Sequence, residues 1–190
     1  MTRFYIALLT FLFSAAIFSA PREIVIIRHG DKLPKHMKGQ FLSPKGQLRA
    51  EKFSHYYLTH FPKPDAVFAT RPALNNSKES HSFRPIQTVA PLVNALCKIL
   101  GRDFLLQWQY YNDQYPALAH DVLTNKNYNN KQILICWHHG RINRLSKALG
   151  VKQSLPKWKS DNFDQVYVID YDDKGAMKKF QLLKNQYPVV

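Results

Sequence analysis

Three short segments of the chain gather imidazole and guanidinium groups: Arg28-His29-Gly30-Asp31, Ser82-Phe83-Arg84 and His138-His139-Gly140. A neutral imidazole with one ring nitrogen held by a hydrogen bond is a competent nucleophile toward phosphorus. Arginine presents a planar fork that matches phosphate oxygens. Arg84 stands where a helix should begin, and the free backbone N–H groups there also favour an anion. His139, if protonated, adds a third donor. Phosphoryl transfer asks a protein mostly for positioning and charge stabilisation, and these residue types supply both. Metal binding is the competing use of the chain's eight histidines. Yet His138-His139 lacks the i, i+4 spacing of a helical zinc pair, and Cys97 and Cys136 form no Cys-x-x-Cys. No metal and no cofactor is expected. His36, His55, His60, His81 and His120 read as surface or supporting residues, with His81 the one nearest Arg84 in sequence.

These segments need elements to hold them. Glu23-Ile24-Val25-Ile26-Ile27 is a β-branched run expected of a strand buried on both faces. Ser43 is an N-cap with Pro44 in the first helical position, and Gly46, Ala50, Phe53 and Tyr57 follow at helical spacing. Pro62 and Pro64 end that helix, and Ala66-Val67-Phe68-Ala69 reads as a second strand. A polar loop then leads to a helix opened by Pro85, kinked at Pro91 and stopped by Gly101. Phe104-Leu105-Leu106 suggests a third strand, and residues 117–123 a short helix. Residues 133–137 read as another buried strand, followed by a helix through Ile142, Leu145, Ala148 and Leu149 that Gly150 closes. Residues 166–170 and 177–183 read as a hairpin around Asp172-Asp173-Lys174-Gly175. Strands alternating with helices predict an α/β fold, a three-layer α/β/α sandwich with a mainly parallel central sheet. Ligands of such sheets lie beyond the carboxyl ends of the strands, where the three segments should meet.

The composition agrees with one globular domain. The 190 residues are 45% apolar and 21% charged, which argues against disorder, and two cysteines exclude a disulfide-stapled miniprotein. Cys97 and Cys136 either pair or sit as separate buried thiols. Residues 1–20 read as a signal peptide: Arg3 precedes an apolar run over residues 4–18 broken only by Thr10 and Ser14. That run is shorter than the roughly 20 residues a spanning helix needs. The alternatives are an uncleaved anchor or a buried first helix. On the signal-peptide reading residues 21–190 form the mature domain, exported to the periplasm or secreted, with no stable membrane insertion. Lys+Arg 27 against Asp+Glu 13 gives a net charge of +14, a field that attracts phosphorylated metabolites, nucleic acid and acidic membrane surfaces alike. The lysines are scattered as on a solvated surface, and no module for specific nucleic-acid binding is evident. Nothing in the chain specifies an oligomeric state.

Five segments together resemble the histidine phosphatase superfamily, the phosphoglycerate mutase-like fold. They are Ile26-Ile27-Arg28-His29-Gly30, Leu42-Ser43-Pro44-Lys45-Gly46-Gln47-Leu48-Arg49-Ala50, Phe68-Ala69-Thr70-Arg71-Pro72, Ser82-Phe83-Arg84-Pro85-Ile86-Gln87-Thr88 and Cys136-Trp137-His138-His139-Gly140. They occur in the family's order and cover most of the chain after the leader. The resemblance implies that His29 takes a phosphoryl group as phosphohistidine, which water then hydrolyses, and that Arg28, Arg84 and His139 bind the phosphate. His139 is preferred to His138 because it directly precedes the glycine, and because neighbours on an extended segment point to opposite sides. The family's general acid often lies between the second helix and the next core strand. Here that stretch holds Asp103, Asp113 and Asp121, of which Asp113 is best placed; Asp31 is a lesser candidate for the acid and could instead orient a neighbouring group. Without such an acid, labile donors such as phosphohistidine or acyl phosphates would be favoured. The implied activity is a metal-independent phosphoric monoester hydrolase acting on an anionic phosphorylated substrate. The competing readings are a catalytically inactive relative that binds anionic ligands, and a mutase, which export argues against. Substrate choice is expected in residues 32–40, 71–80 and 108–116, where Lys32, Lys35 and Lys38 would favour a polyanion.

Overall fold

The structure, a computed structural model, describes residues 20–34, 36–37, 39–75 and 78–189. The leader expected over residues 1–20 therefore lies outside the described residues except for Ala20, and so do Lys35 and Lys38. Strand β1 (Glu23–Arg28) is followed by α1 (Pro44–His60), β2 (Ala66–Ala69), α2 (Arg84–Leu100) and β3 (Leu106–Gln107). Then come α3 (Tyr115–Thr124), β4 (Gln132–Trp137), α4 (His139–Ala148), β5 (Val166–Tyr171) and β6 (Met177–Leu183). The six strands make one sheet in the order β3-β2-β4-β1-β5-β6. Its β3-β2-β4-β1 portion is parallel, and the β5–β6 hairpin adds antiparallel to the free edge of β1.

Strand alternation divides the core into two. Ile24 and Ile26 of β1, with Ile133 and Ile135 of β4, face α3 and α4 through Leu118, Val122, Ile142 and Leu145. Val25, Ile27 and Leu134 face the other way, against Phe53 and Tyr57 of α1 and Val89, Leu92 and Leu96 of α2. Helices thus cover both faces, which is the three-layer α/β/α sandwich the alternating pattern predicts. Both faces of β1 and β4 being covered explains why residues 24–27 and 133–137 are apolar without a break.

The local signals act as their chemistry dictates. Ser43 caps α1 by accepting from the Gly46 N–H at 3.1 Å, with Pro44 in the first turn. Gly101 ends α2 at φ +63°, a left-handed position that a side chain resists. The α2 helix runs through Pro91 to Leu100. One expectation shifts. The third strand is only Leu106–Gln107: as an edge it pairs with β2 alone, Leu105 points to solvent, and the Phe104 N–H turns to the Cys97 sulfur. The two thiols are free; Cys136 is fully buried in β4, and burial pushes its pKa up.

Candidate active site

Parallel pairing of β1 with β4 builds the centre of the site. Their register sets Arg28 opposite Trp137, so His29 and His138 leave the sheet side by side. Their rings meet edge to face, 5.2 Å between centroids. His29 is almost fully buried, and its Nδ1 lies 2.8 Å from the Gly30 carbonyl oxygen. A carbonyl only accepts, so Nδ1 carries the proton and donates, leaving the lone pair on Nε2. Burial, then the charges of His138 and Arg28, pushes the His29 pKa well below the ordinary histidine value. The ring is neutral with a free nitrogen, the state a nucleophile requires.

Arg28 is clamped by the loop between α4 and β5. Its Nη1 donates to the carbonyls of Lys159 at 3.2 Å, Ser160 at 2.9 Å and Asn162 at 2.9 Å. The Phe163 ring lies over the guanidinium, 3.9 Å from its central carbon. With one nitrogen and one face so fixed, Nε and Nη2 remain, buried and without a partner among the described residues. Burial lowers the Arg28 pKa to about 10, which leaves it charged at neutral pH.

Arg84 opens α2 as expected. Its Nη1 donates to the Gly39 carbonyl at 2.9 Å, and its Nε is buried with no partner among the described residues. Thr88, one turn on, ties α2 to the loop after β1 by accepting from the Gly30 N–H at 2.8 Å and donating to the Arg84 carbonyl at 2.7 Å. The loop also rests on α1. A Cβ at Gly46 would stand 2.3 Å from the Asp31 carbonyl oxygen, so the glycine in the α1 opening is required by close approach of two backbones.

Both histidines after β4 lie in the field of the site. Burial and the charges of Arg84, His139 and Arg28 lower the His138 pKa to about 3; burial, Arg28 and Lys32 lower that of His139 to about 4. His138 Nε2 and His139 Nδ1 are buried and have no partner among the described residues. The alternation argument for His139 alone does not hold, because β4 ends at Trp137 and α4 begins at His139. His138, passed over in the sequence, is the one in ring contact with His29. His139 faces a cavity of about 620 Å³ formed with Trp158, Lys159 and Asp161.

The expected acid, Asp113, is engaged elsewhere. It sits exposed in the turn Asn112–Gln114, which is docked on β4 by the Trp137 indole N–H donating to the Asn112 carbonyl at 3.1 Å. Arg141 grips its carboxylate with both Nε and Nη2, and this bond lowers the Asp113 pKa. A carboxylate so held is a poor proton donor. Asp31 is likewise bound by two nitrogens of Arg49, a buried side chain that also donates to the Tyr187 carbonyl. It anchors the loop after β1 to α1. His81 Nδ1 lies 2.8 Å from the Ala73 carbonyl oxygen. No group of three or more His, Cys, Asp or Glu among the described residues is arranged to hold a metal ion. Phe163, Thr88 and the three loop carbonyls were not singled out from sequence; backbone oxygens leave no signature there.

The order of the sheet, the two helical layers and the strand-end site together define the phosphoglycerate mutase-like fold, the architecture of the histidine phosphatases. Among solved structures of this fold, the protein histidine phosphatase SixA complexed with tungstate superposes with a TM-score of 0.54 at 12% identity, over 85% of this chain and 96% of that one. A protein from Escherichia coli K-12 described as an alpha-ribazole-5'-P phosphatase gives 0.55 at 12% identity, over 90% and 99% of the two chains. No family model and no curated protein sequence matches.

Proposed function

We propose that the protein is a phosphatase that hydrolyses a phosphomonoester, or a similar phosphorylated compound, through a phosphohistidine on His29. One observation carries the reading. Five buried nitrogens on the three segments around His29 have no partner among the described residues: Arg28 Nε and Nη2, Arg84 Nε, His138 Nε2 and His139 Nδ1. An unsatisfied buried polar group costs about 1–3 kcal/mol, so a cluster of five is an explanation in need of a ligand. A tetrahedral oxyanion is the ligand that guanidinium forks and imidazoles fit.

In this mechanism His29 Nε2 attacks phosphorus while the bond to the leaving oxygen breaks. Arg28 and Arg84 meet the charge that gathers on the phosphoryl oxygens. The bound dianion raises the basicity of His138 and His139, turning them into donors once phosphate is in place. Water then attacks the phosphohistidine and the free imidazole returns. Both solved structures named above carry phosphatase descriptions, which agrees with this reading of the shared fold.

The test is release of phosphate from p-nitrophenyl phosphate by the purified protein without added metal. Activity is expected in the wild type and its loss in His29→Ala. Equal turnover by the two proteins overturns the reading.

A further inference from the structure

Hydrolysis of an alkyl phosphate needs a proton on the leaving oxygen. Two carboxylates near the core histidines are committed, Asp31 to Arg49 and Asp113 to Arg141. Asp161 is different. The carbonyls of its neighbours Ser160 and Asn162 both accept from Arg28 Nη1, so the backbone on either side of it is pinned to a proposed phosphate ligand. The Trp158 indole N–H donates to the Asn162 carbonyl at 3.0 Å, and the Asn162 amide to Gln165 at 3.3 Å, so the loop is braced from within. The Asp161 carboxyl is exposed and forms no ion pair among the described residues. It lines the same cavity of about 620 Å³ as His139, Asn143 and Trp158, and its charge acts on Arg28. That volume is in the range of small-molecule sites, enough for the alcohol half of an ester.

Resting on the phosphohistidine reading, we propose that Asp161 is the general acid and that the cavity beside His139 receives the leaving group. As the His29 nitrogen–phosphorus bond forms, the phosphorus–oxygen bond breaks, and the departing oxygen takes the proton of the Asp161 carboxyl and leaves as an alcohol. The carboxylate then accepts a proton from the water that attacks phosphorus, while the nitrogen–phosphorus electron pair returns to His29. Asp161 is thereby protonated again and inorganic phosphate is the product. The acid thus comes from the α4–β5 loop rather than from the segment between α2 and β4.

The experiment compares a simple alkyl phosphate with 2,4-dinitrophenyl phosphate, whose leaving group needs no proton, on wild type, Asp161→Asn, Asp161→Ala and His29→Ala. General acids contribute about 10²–10⁴-fold, so Asp161→Asn and Asp161→Ala should lose at least about 100-fold in kcat/KM on the alkyl ester. On the dinitrophenyl ester both should stay within about threefold of wild type in kcat/KM, which reports transfer to His29 and not the later hydrolysis of the phosphohistidine, a split that also shows the site is still folded. Equal losses on both esters, no loss on either, or a wild type that cleaves only the dinitrophenyl ester would each overturn the assignment of Asp161. Activity that survives His29→Ala would instead overturn the phosphohistidine reading beneath it.

Discussion

Replacing Gly46 by alanine sets two physical expectations against each other. On helix propensity alone, Gly→Ala inside a helix gains about 1 kcal/mol. The structure reverses the sign. The added Cβ would lie 2.3 Å from the Asp31 carbonyl oxygen and 2.9 Å from the Asp31 nitrogen, both backbone atoms that cannot swing aside. Ordinary carbon–oxygen contact begins near 3.3 Å, so α1 and the nucleophile loop must part by about 1 Å. Overpacking of this kind costs about 1–3 kcal/mol, and the shift also pulls the Gly46 N–H from the Ser43 cap. Taking away the propensity gain leaves a net loss of about 1 kcal/mol, or a fall of about 2–4 °C in Tm for a chain of this size. The functional loss is larger, because His29 is two residues from Asp31 and misplacing a reacting group by about 1 Å costs about 100-fold. The assay is a thermal melt beside kcat/KM for p-nitrophenyl phosphate on wild type and Gly46→Ala. A variant that melts higher and keeps its turnover would refute the close-approach argument.

Arg84→Ala removes the unpartnered Nε, and loss of such a donor costs about 10²–10³ in kcat. Its signature without turnover is thermal: inorganic phosphate should raise the wild-type Tm and raise that of Arg84→Ala much less, since stabilisation grows as RT ln(1 + [L]/Kd); equal shifts would place the anion elsewhere. The histidines also predict a pH dependence. Folding holds His29 and His138 neutral, His138 with a pKa of about 3, while the unfolded chain takes up protons near 6.5. The unfolded state therefore binds more protons below pH 6.5, and stability is lost as pH falls from there toward 4, by up to about 1.4 kcal/mol per pH unit for each ring. Urea midpoints between pH 7 and 4.5 should fall less steeply for His138→Gln than for wild type, and parallel slopes would contradict a neutral buried His138.

What could be read from the sequence differs from what could not by the range of the interaction that decides it. Arg28, His29 and Arg84 declare themselves because each sits at the end of an element whose own composition marks it: a β-branched run before His29, and a proline directly after Arg84 in the first turn of α2. The choice between His138 and His139 turned on a strand end one residue away, and on which strand lies beside β1. Alternation gives the side of a residue only while the strand lasts, and it says nothing about neighbours; the pairing of Arg28 with Trp137 is what sets His138 against His29. Asp113 looked available because its partner, Arg141, is 28 residues further along on another element. The clamp on Arg28 lies deeper still, since three of its contacts are main-chain carbonyls more than 130 residues away and carry no side-chain identity at all. A site made of charged groups at strand ends is thus legible in outline, whereas the loops that hold those groups still, and any acid they carry, follow from tertiary contacts. The same reasoning explains why Asp161 escapes notice in sequence: its position matters only because the residues on either side of it bind Arg28.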